Sequence, residues 1–235
     1  MMADQRDIHY EVMPYTEENF NEFYEFFVEH MLSMDEHGET VACALQVDPR
    51  VVLEADLFWR RYVNDVLKAG VSYVARDRAA GNRLVGVRLQ NDVSVGEYES
   101  EFQQLLAIPF RQPATMRQQR LFAQLEPAVA DVVKRMRAQG LDRVLQFAAL
   151  CVHRHYRGHG IATTMNRMAL ADGKERGCEV AVVFASGAGS QRSFERVGFE
   201  LGLVKDYADI LDEDGKPFVF PLNGAKSIKA YSKTL

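Results

Sequence analysis

The clearest chemistry in the chain sits in Arg157-Gly158-His159-Gly160-Ile161-Ala162, a polar link between Leu150-Cys151-Val152 and a helix-forming stretch. A helix opens with unpaired backbone N–H groups and a positive dipole end, and two glycines let an anion approach the main chain closely. A phosphate-sized group suits such a junction. The segment has neither the Gly-Lys-Ser/Thr of a P-loop nor the complete Gly-x-Gly-x-x-Gly of a dinucleotide fold. His153, His155 and His159 lie nearby, but no cysteine or carboxylate completes a recognisable ligand set, so we read them as polar groups near phosphate or solvent and expect no metal. Cys151 stands in an apolar run, where a thiol usually packs as core rather than serving as a nucleophile.

The elements that must position this loop are legible from periodicity. Arg143 to Val152 is a nearly unbroken apolar run, as expected for a strand covered on both faces. After the loop, Ile161, Met165, Met168 and Ala169 share a helical face that Gly177 ends, and Glu179 to Ala185 reads as a second buried strand. Strand, helix, strand at this length predicts a right-handed parallel crossover. Ser190 to Val197 is a short helix, and Phe199 to Ala208 with Phe218 to Lys229 are two final strands around the Asp212-Glu213-Asp214-Gly215 turn.

Upstream, a strand over Ile8 to Met13 precedes a helix capped by Thr16, whose Phe20, Phe23, Tyr24, Phe27 and Met31 form a core stripe. Asp35 to Val47 reads as a loop. Asp48-Pro49 looks like the start of a second helix that Gly70 stops. Val71 to Arg76 and Arg83 to Leu89 predict an antiparallel hairpin, and Glu97 to Gln139 is helical, broken near Pro109 and Pro113, with Pro127 starting or kinking its last helix.

Composition bounds the rest. The 235 residues are 47% apolar and 26% charged, which suits one globular domain over 1–235. With 28 Lys+Arg against 33 Asp+Glu the net charge is -5, which gives no field favouring a nucleic acid. Cys43, Cys151 and Cys178 have no CxxC spacing and the first residues are charged, so free thiols and a cytoplasmic location are expected. No apolar run reaches the roughly 20 residues of a membrane span, so no membrane partner is expected.

In this order, Leu150-Cys151-Val152, Arg157-x-x-Gly160-x-Ala162, the strand to Ala185 and Arg196-Val197-Gly198-Phe199 resemble the core of the GCN5-related N-acetyltransferase (GNAT) superfamily, over about residues 140–210. The resemblance implies an α/β (α+β) GNAT fold: a central, mixed, mostly antiparallel twisted sheet with a parallel splayed strand pair, flanked by helices. It implies that Arg157, Gly158, His159, Gly160, Ile161 and Ala162 bind the pyrophosphate of acetyl-CoA as co-substrate, and that Leu150, Cys151 and Val152 pair with its pantetheine arm. Residues 141–235 would then hold the acetyl-CoA core and 1–140 the acceptor side. A narrower pattern, Phe26-Phe27 before Asp35-Glu36, then Ser186, Ser190, Gly198-Phe199 and Tyr207-x-Asp209, is similar to insect-type arylalkylamine N-acetyltransferases, including dopamine N-acetyltransferases. That family's Asp-Glu-Pro-Leu is Asp35-Glu36-His37-Gly38 here. The Tyr of many superfamily members is Phe194, which donates no proton.

What the resemblance implies chemically is attack of a neutral amine on a thioester. Glu36 is the candidate base, because an amine is mostly ammonium at pH 7 and must lose its proton before attack. Ser186 and Ser190 are candidate donors to the departing thiolate, with Tyr207 in reserve; Ser190, also a candidate cofactor contact, falls where a helix N-cap is needed. Backbone N–H groups around Cys151 and Val152 could hold the oxyanion if the strand splays there. The expected acceptor is a small primary amine, with arylalkylamines such as dopamine, tyramine, tryptamine or serotonin the leading class, taken by a monomer or homodimer. Rival readings are acetylation of polyamines, amino acids or protein amines, and a non-catalytic acyl-CoA-binding module.

Overall fold

A helical period of 3.6 and a strand period of two segregate into helices and one sheet in the computed structural model, which describes residues 6–32, 45–219 and 224–235. Strand β1 (Ile8–Val12) precedes α1 (Glu17–Phe27), where Thr16 Oγ1 accepts from the Asn19 N–H at 3.1 Å and the dipole end faces Glu17 and Glu18. The expected stripe of Phe20, Phe23, Tyr24 and Phe27 is buried. One π-helical turn, Val28–Leu32, follows.

Helix α2 (Leu53–Lys68) starts later than its sequence suggests. Asp48 does not cap it: its carboxylate accepts from the Arg50 N–H at 3.0 Å and pairs with the Arg50 guanidinium at 2.6 Å, closing a separate turn before the helix. Strands β2 (Tyr73–Asp77) and β3 (Arg83–Ser94) form the expected hairpin, with β3 longer than anticipated. The helical stretch after it is α3 (Val95–Leu106), α4 (Pro113–Ala123) and α5 (Glu126–Ala138). Proline supplies the first turn of α4 and α5, where its missing N–H costs nothing.

The carboxy-terminal half runs β4 (Arg143–Val152), α6 (Ile161–Glu175), β5 (Val180–Ala185), α7 (Ala188–Arg196), β6 (Glu200–Asp206) and β7 (Ser227–Thr234). One expectation fails: the last strand is Ser227–Thr234, not Phe218–Lys229. The Asp212 turn closes only a local bridge, Leu211 to Pro217, whereas Ser-Ile-Lys-Ala-Tyr-Ser-Lys-Thr pairs with β5 on one side and β6 on the other. The described strands form one sheet in the order β1-β2-β3-β4-β5-β7-β6, and every neighbouring pair is antiparallel except β4–β5.

Alternation along the strands divides the core. Val74, Val87 and Val144 join the sheet to α1–α5, while Tyr73, Ala75, Val85 and Leu145 join it to α6 and α7. In β4 the alternation breaks: Leu145 and Phe147 pack with the α6/α7 cluster, yet Ala149 and Cys151 pack with the other. The register with β3 jumps from Leu89–Ala149 to Gln90–Phe147, so Ala148 is the extra residue of a bulge that turns the strand over.

Candidate active site

The bulge coincides with the point where β4 and β5 part. Their parallel ladder runs from Val144–Val180 to Phe147–Val183 and ends there, although β4 continues five residues to Val152. The His153 N–H donates to the Val85 carbonyl at 2.9 Å, which fixes the orientation of the strand edge. By the two-residue period, the main-chain groups of Cys151 and Ala149 also face β3, while those of Leu150 and Val152 face away, toward the edge that β5 has left. From Ala148 to Val152 this open edge spans about 13 Å at 3.3 Å per residue.

At the far end of that edge lies the glycine loop. Gly158 and Gly160 adopt φ +82° and +81°, the left-handed region that glycine enters without strain, and a Cβ added to either would meet nothing within 4 Å. Helix α6 opens at Gly160 with no side-chain cap and no acid in its first turn. Its leading N–H groups therefore carry no side-chain cap, and the positive dipole end lies behind them. Arg157 lies alongside, its Nε donating to the Val152 carbonyl at 3.1 Å. A diphosphate fits this cradle: the helix end has no side-chain cap, its first turn holds no acid, and nothing lies within 4 Å of a Cβ built on either glycine.

At the near end is a cavity of about 580 Å³. Gln146, Phe147 and Ala148 of β4 and Phe184 of β5 form its floor at the splay; Phe58, Trp59 and Tyr62 of α2 wall one side, and Tyr98, Glu101 and Phe102 of α3 with Gln118 and Phe122 of α4 wall the other. The Phe58 and Tyr62 rings stack with centroids 5.9 Å apart, and Phe102 meets Phe184 at 6.3 Å.

The sequence-predicted residues distribute unevenly over this site. Glu36 and Asp35 lie outside the described residues, as does Cys43. Ser186 lines the cavity, and its carbonyl accepts from the buried Tyr207 hydroxyl at 2.7 Å; burial pushes that phenol up, away from ready ionisation. Ser190 is not the N-cap of α7, a position that Gly187 takes. Its Oγ sits one turn inside, donating to the Gly187 carbonyl at 2.8 Å and accepting from the Gly187 N–H at 3.3 Å. Cys151 is 5% exposed and burial raises its thiol, so it stays protonated and is core, as its apolar setting suggests. His153 packs on His30 at 4.6 Å between ring centroids and titrates at about 4, lowered by burial and then by His30, Arg83 and His155. Phe194 is buried between Phe147 and Phe199, with the guanidinium of buried Arg88 5.5 Å over its ring.

Most polar residues of the cavity escaped the sequence reading, Glu101 and Gln118 among them. Glu101 follows Tyr98 by three residues and precedes Phe102 and Leu105, an apolar stripe that a carboxylate interrupts; Gln118 interrupts the stripe of Thr115, Leu121 and Phe122 in the same way. The interruption was the available signal. Burial, and then neighbouring Glu97, holds the Glu101 carboxyl above its ordinary range.

Residues 128–199 match the acetyltransferase (GNAT) family model. No curated protein sequence is significantly similar to the chain. Among solved structures, arylalkylamine N-acetyltransferase 2 from Aedes aegypti superposes with a TM-score of 0.77 at 18% identity, covering 97% of this chain and 99% of that one. A mosquito arylalkylamine N-acetyltransferase like 5b gives 0.74 at 21% identity, covering 97% and 100%. The Drosophila melanogaster polyamine N-acetyltransferase that forms N-acetylagmatine gives 0.74 at 19% identity, also covering 97% and 100%. The splayed β4–β5 pair and the uncapped glycine cradle both lie in the segment that matches the acetyltransferase (GNAT) family, a family that uses acetyl-CoA as co-substrate, and the chain as a whole has the fold of the insect arylalkylamine and polyamine enzymes.

Proposed function

We propose that the chain acetylates a small primary amine of the arylalkylamine class, held in the aromatic cavity. The observation that carries this reading is the cavity's position. It opens at the β4–β5 splay, one strand edge away from the glycine cradle, and its lining is mainly apolar, with Phe58, Trp59, Tyr62, Tyr98, Phe102 and Phe184 presenting rings to it. Aromatic walls of this kind suit a flat ring and a short alkyl arm.

In this reading the cradle at Gly158–Ala162 holds the diphosphate and the open edge of Leu150 and Val152 aligns the pantetheine amides, so the thioester is delivered to the floor of the cavity. A neutral amine nitrogen attacks the thioester carbon; the C–N bond forms, the C–S bond breaks and the ammonium proton leaves. Glu36 is the proposed base. Leu32 and Leu45, which flank its segment, both line the cavity. The Leu150 and Val152 N–H groups face the side where the oxyanion develops. Ser186, on the cavity wall, is better placed than Ser190 to return a proton to the thiolate, because Ser190 Oγ is engaged with Gly187.

Release of CoA thiol across a panel of tyramine, dopamine, tryptamine, serotonin, agmatine, spermidine and amino acids tests the reading. We expect the highest kcat/KM on arylalkylamines. Turnover confined to the other acceptors would remove the substrate class, and tight acetyl-CoA binding with no turnover of any amine would leave a binding module instead.

A further inference from the structure

Gln118 is 3% exposed, lines the cavity, and neither its amide oxygen nor its amide nitrogen has a hydrogen-bond partner among the described residues. A buried amide left with both an unused donor and an unused acceptor calls for a ligand that supplies both. An ammonium or guanidinium group only donates and would leave the Gln118 nitrogen unmet. A hydroxyl donates and accepts. Glu101 lines the same cavity, half-buried, and forms no hydrogen bond or ion pair with the described residues; as an acceptor it takes a hydroxyl proton. The other cavity acid, Asp65, is already answered by Arg61 at 3.7 Å and by the Asn64 amide at 3.2 Å.

We propose that Gln118 and Glu101 form a hydroxyl-reading subsite at the α3–α4 wall of the cavity, so that amines bearing a ring hydroxyl are preferred over their unsubstituted counterparts. This inference rests on the acetyltransferase reading and adds to it which acceptors are selected and by which residues. Discrimination of this kind is steep, because a site built to pair with a hydroxyl leaves buried polar groups unmet when the hydroxyl is missing.

The test compares kcat/KM for tyramine, phenethylamine and agmatine in the wild type, Gln118→Leu and Glu101→Gln. In the wild type tyramine should exceed phenethylamine by about 10-fold or more, and Gln118→Leu should bring that ratio close to one. Gln118→Leu removes an unpaired buried amide for a side chain of similar size, so its thermal midpoint should hold or rise. Glu101→Gln keeps an acceptor oxygen and should retain part of the preference. A wild-type ratio near one, a ratio unchanged in folded Gln118→Leu, or a preference for agmatine would each overturn the subsite while leaving acetyl transfer intact. Should no amine be turned over, the acetyltransferase reading fails separately. Calorimetry of tyramine against phenethylamine on the CoA-saturated protein then decides the subsite: Gln118-dependent preference for tyramine supports it, and equal binding overturns it.

Discussion

In the proposed reading, the donor side and the acceptor side of this site are built by opposite means. The donor side comes from one stretch of about 20 residues, β4 through the first turn of α6, and works with main-chain atoms: an open strand edge, two glycines in the left-handed region and an uncapped helix end. The acceptor side collects side chains from the π-helical turn after α1, from α2, α3 and α4, and from the sheet, so its chemistry depends on which face each helix turns inward. A main-chain site tolerates wide sequence change if the backbone path is kept; a side-chain cavity does not. On this proposal the donor side carries the family pattern and the acceptor side sets the substrate.

Substitutions can break that division. The largest effect is expected at the acceptor side's acid: Glu36→Ala should lower kcat/KM by roughly 10²-fold if it takes the amine proton, and leave acetyl-CoA binding near the wild-type value. Unchanged steady-state kinetics would clear Glu36. Next come the two serines. Ser186→Ala should lower kcat by about 10-fold, whereas Ser190→Ala should act chiefly through α7, with a loss of about 1 kcal/mol in chemical denaturation. The reverse ranking would return the proton-donor role to Ser190.

The smallest effect concerns His153, at the end of β4. Its imidazole titrates at 6.5 when unperturbed and at about 4 in the folded chain, so between these values the unfolded state binds more protons. Its contribution to stability is complete above pH 6.5 and is lost as pH falls toward 4. The thermal midpoint of the wild type should fall by a few degrees more than that of His153→Gln over this window. Parallel curves would show that His153 is not carried neutral in the fold.

How much was legible in the sequence follows the same division. Arg143–Val152 was delimited to the residue because both its faces are buried and no alternation confuses it. The glycine loop and its crossover were legible because glycine and helix caps act locally. The last strand was misplaced because the Asp212-Glu213-Asp214-Gly215 turn is also a local signal, but a misleading one: it closes on Pro217, and the true partner of β5 lies ten residues further on at Ser227. Asp48-Pro49 misled in the same way, since the Asp48 carboxylate found Arg50 before it could find a helix. Ala148 could not be recognised as a bulge, because its register is set by β3. Glu101 and Gln118 read as ordinary polar residues on amphipathic helices until the fold turned them inward.

The central claim is that the α6 N-terminus grips a diphosphate, and a charge placed in the cradle tests it most directly. Asn and Asp are the residues that best tolerate a left-handed backbone, so Gly160→Asn and Gly160→Asp impose similar strain and differ by one negative charge. Calorimetric titration with acetyl-CoA should show Gly160→Asp binding at least about 10-fold more weakly than Gly160→Asn, the equivalent of roughly 1.4 kcal/mol of repulsion. Equal affinity of the two variants, at the wild-type value, would place the diphosphate elsewhere and contradict the account.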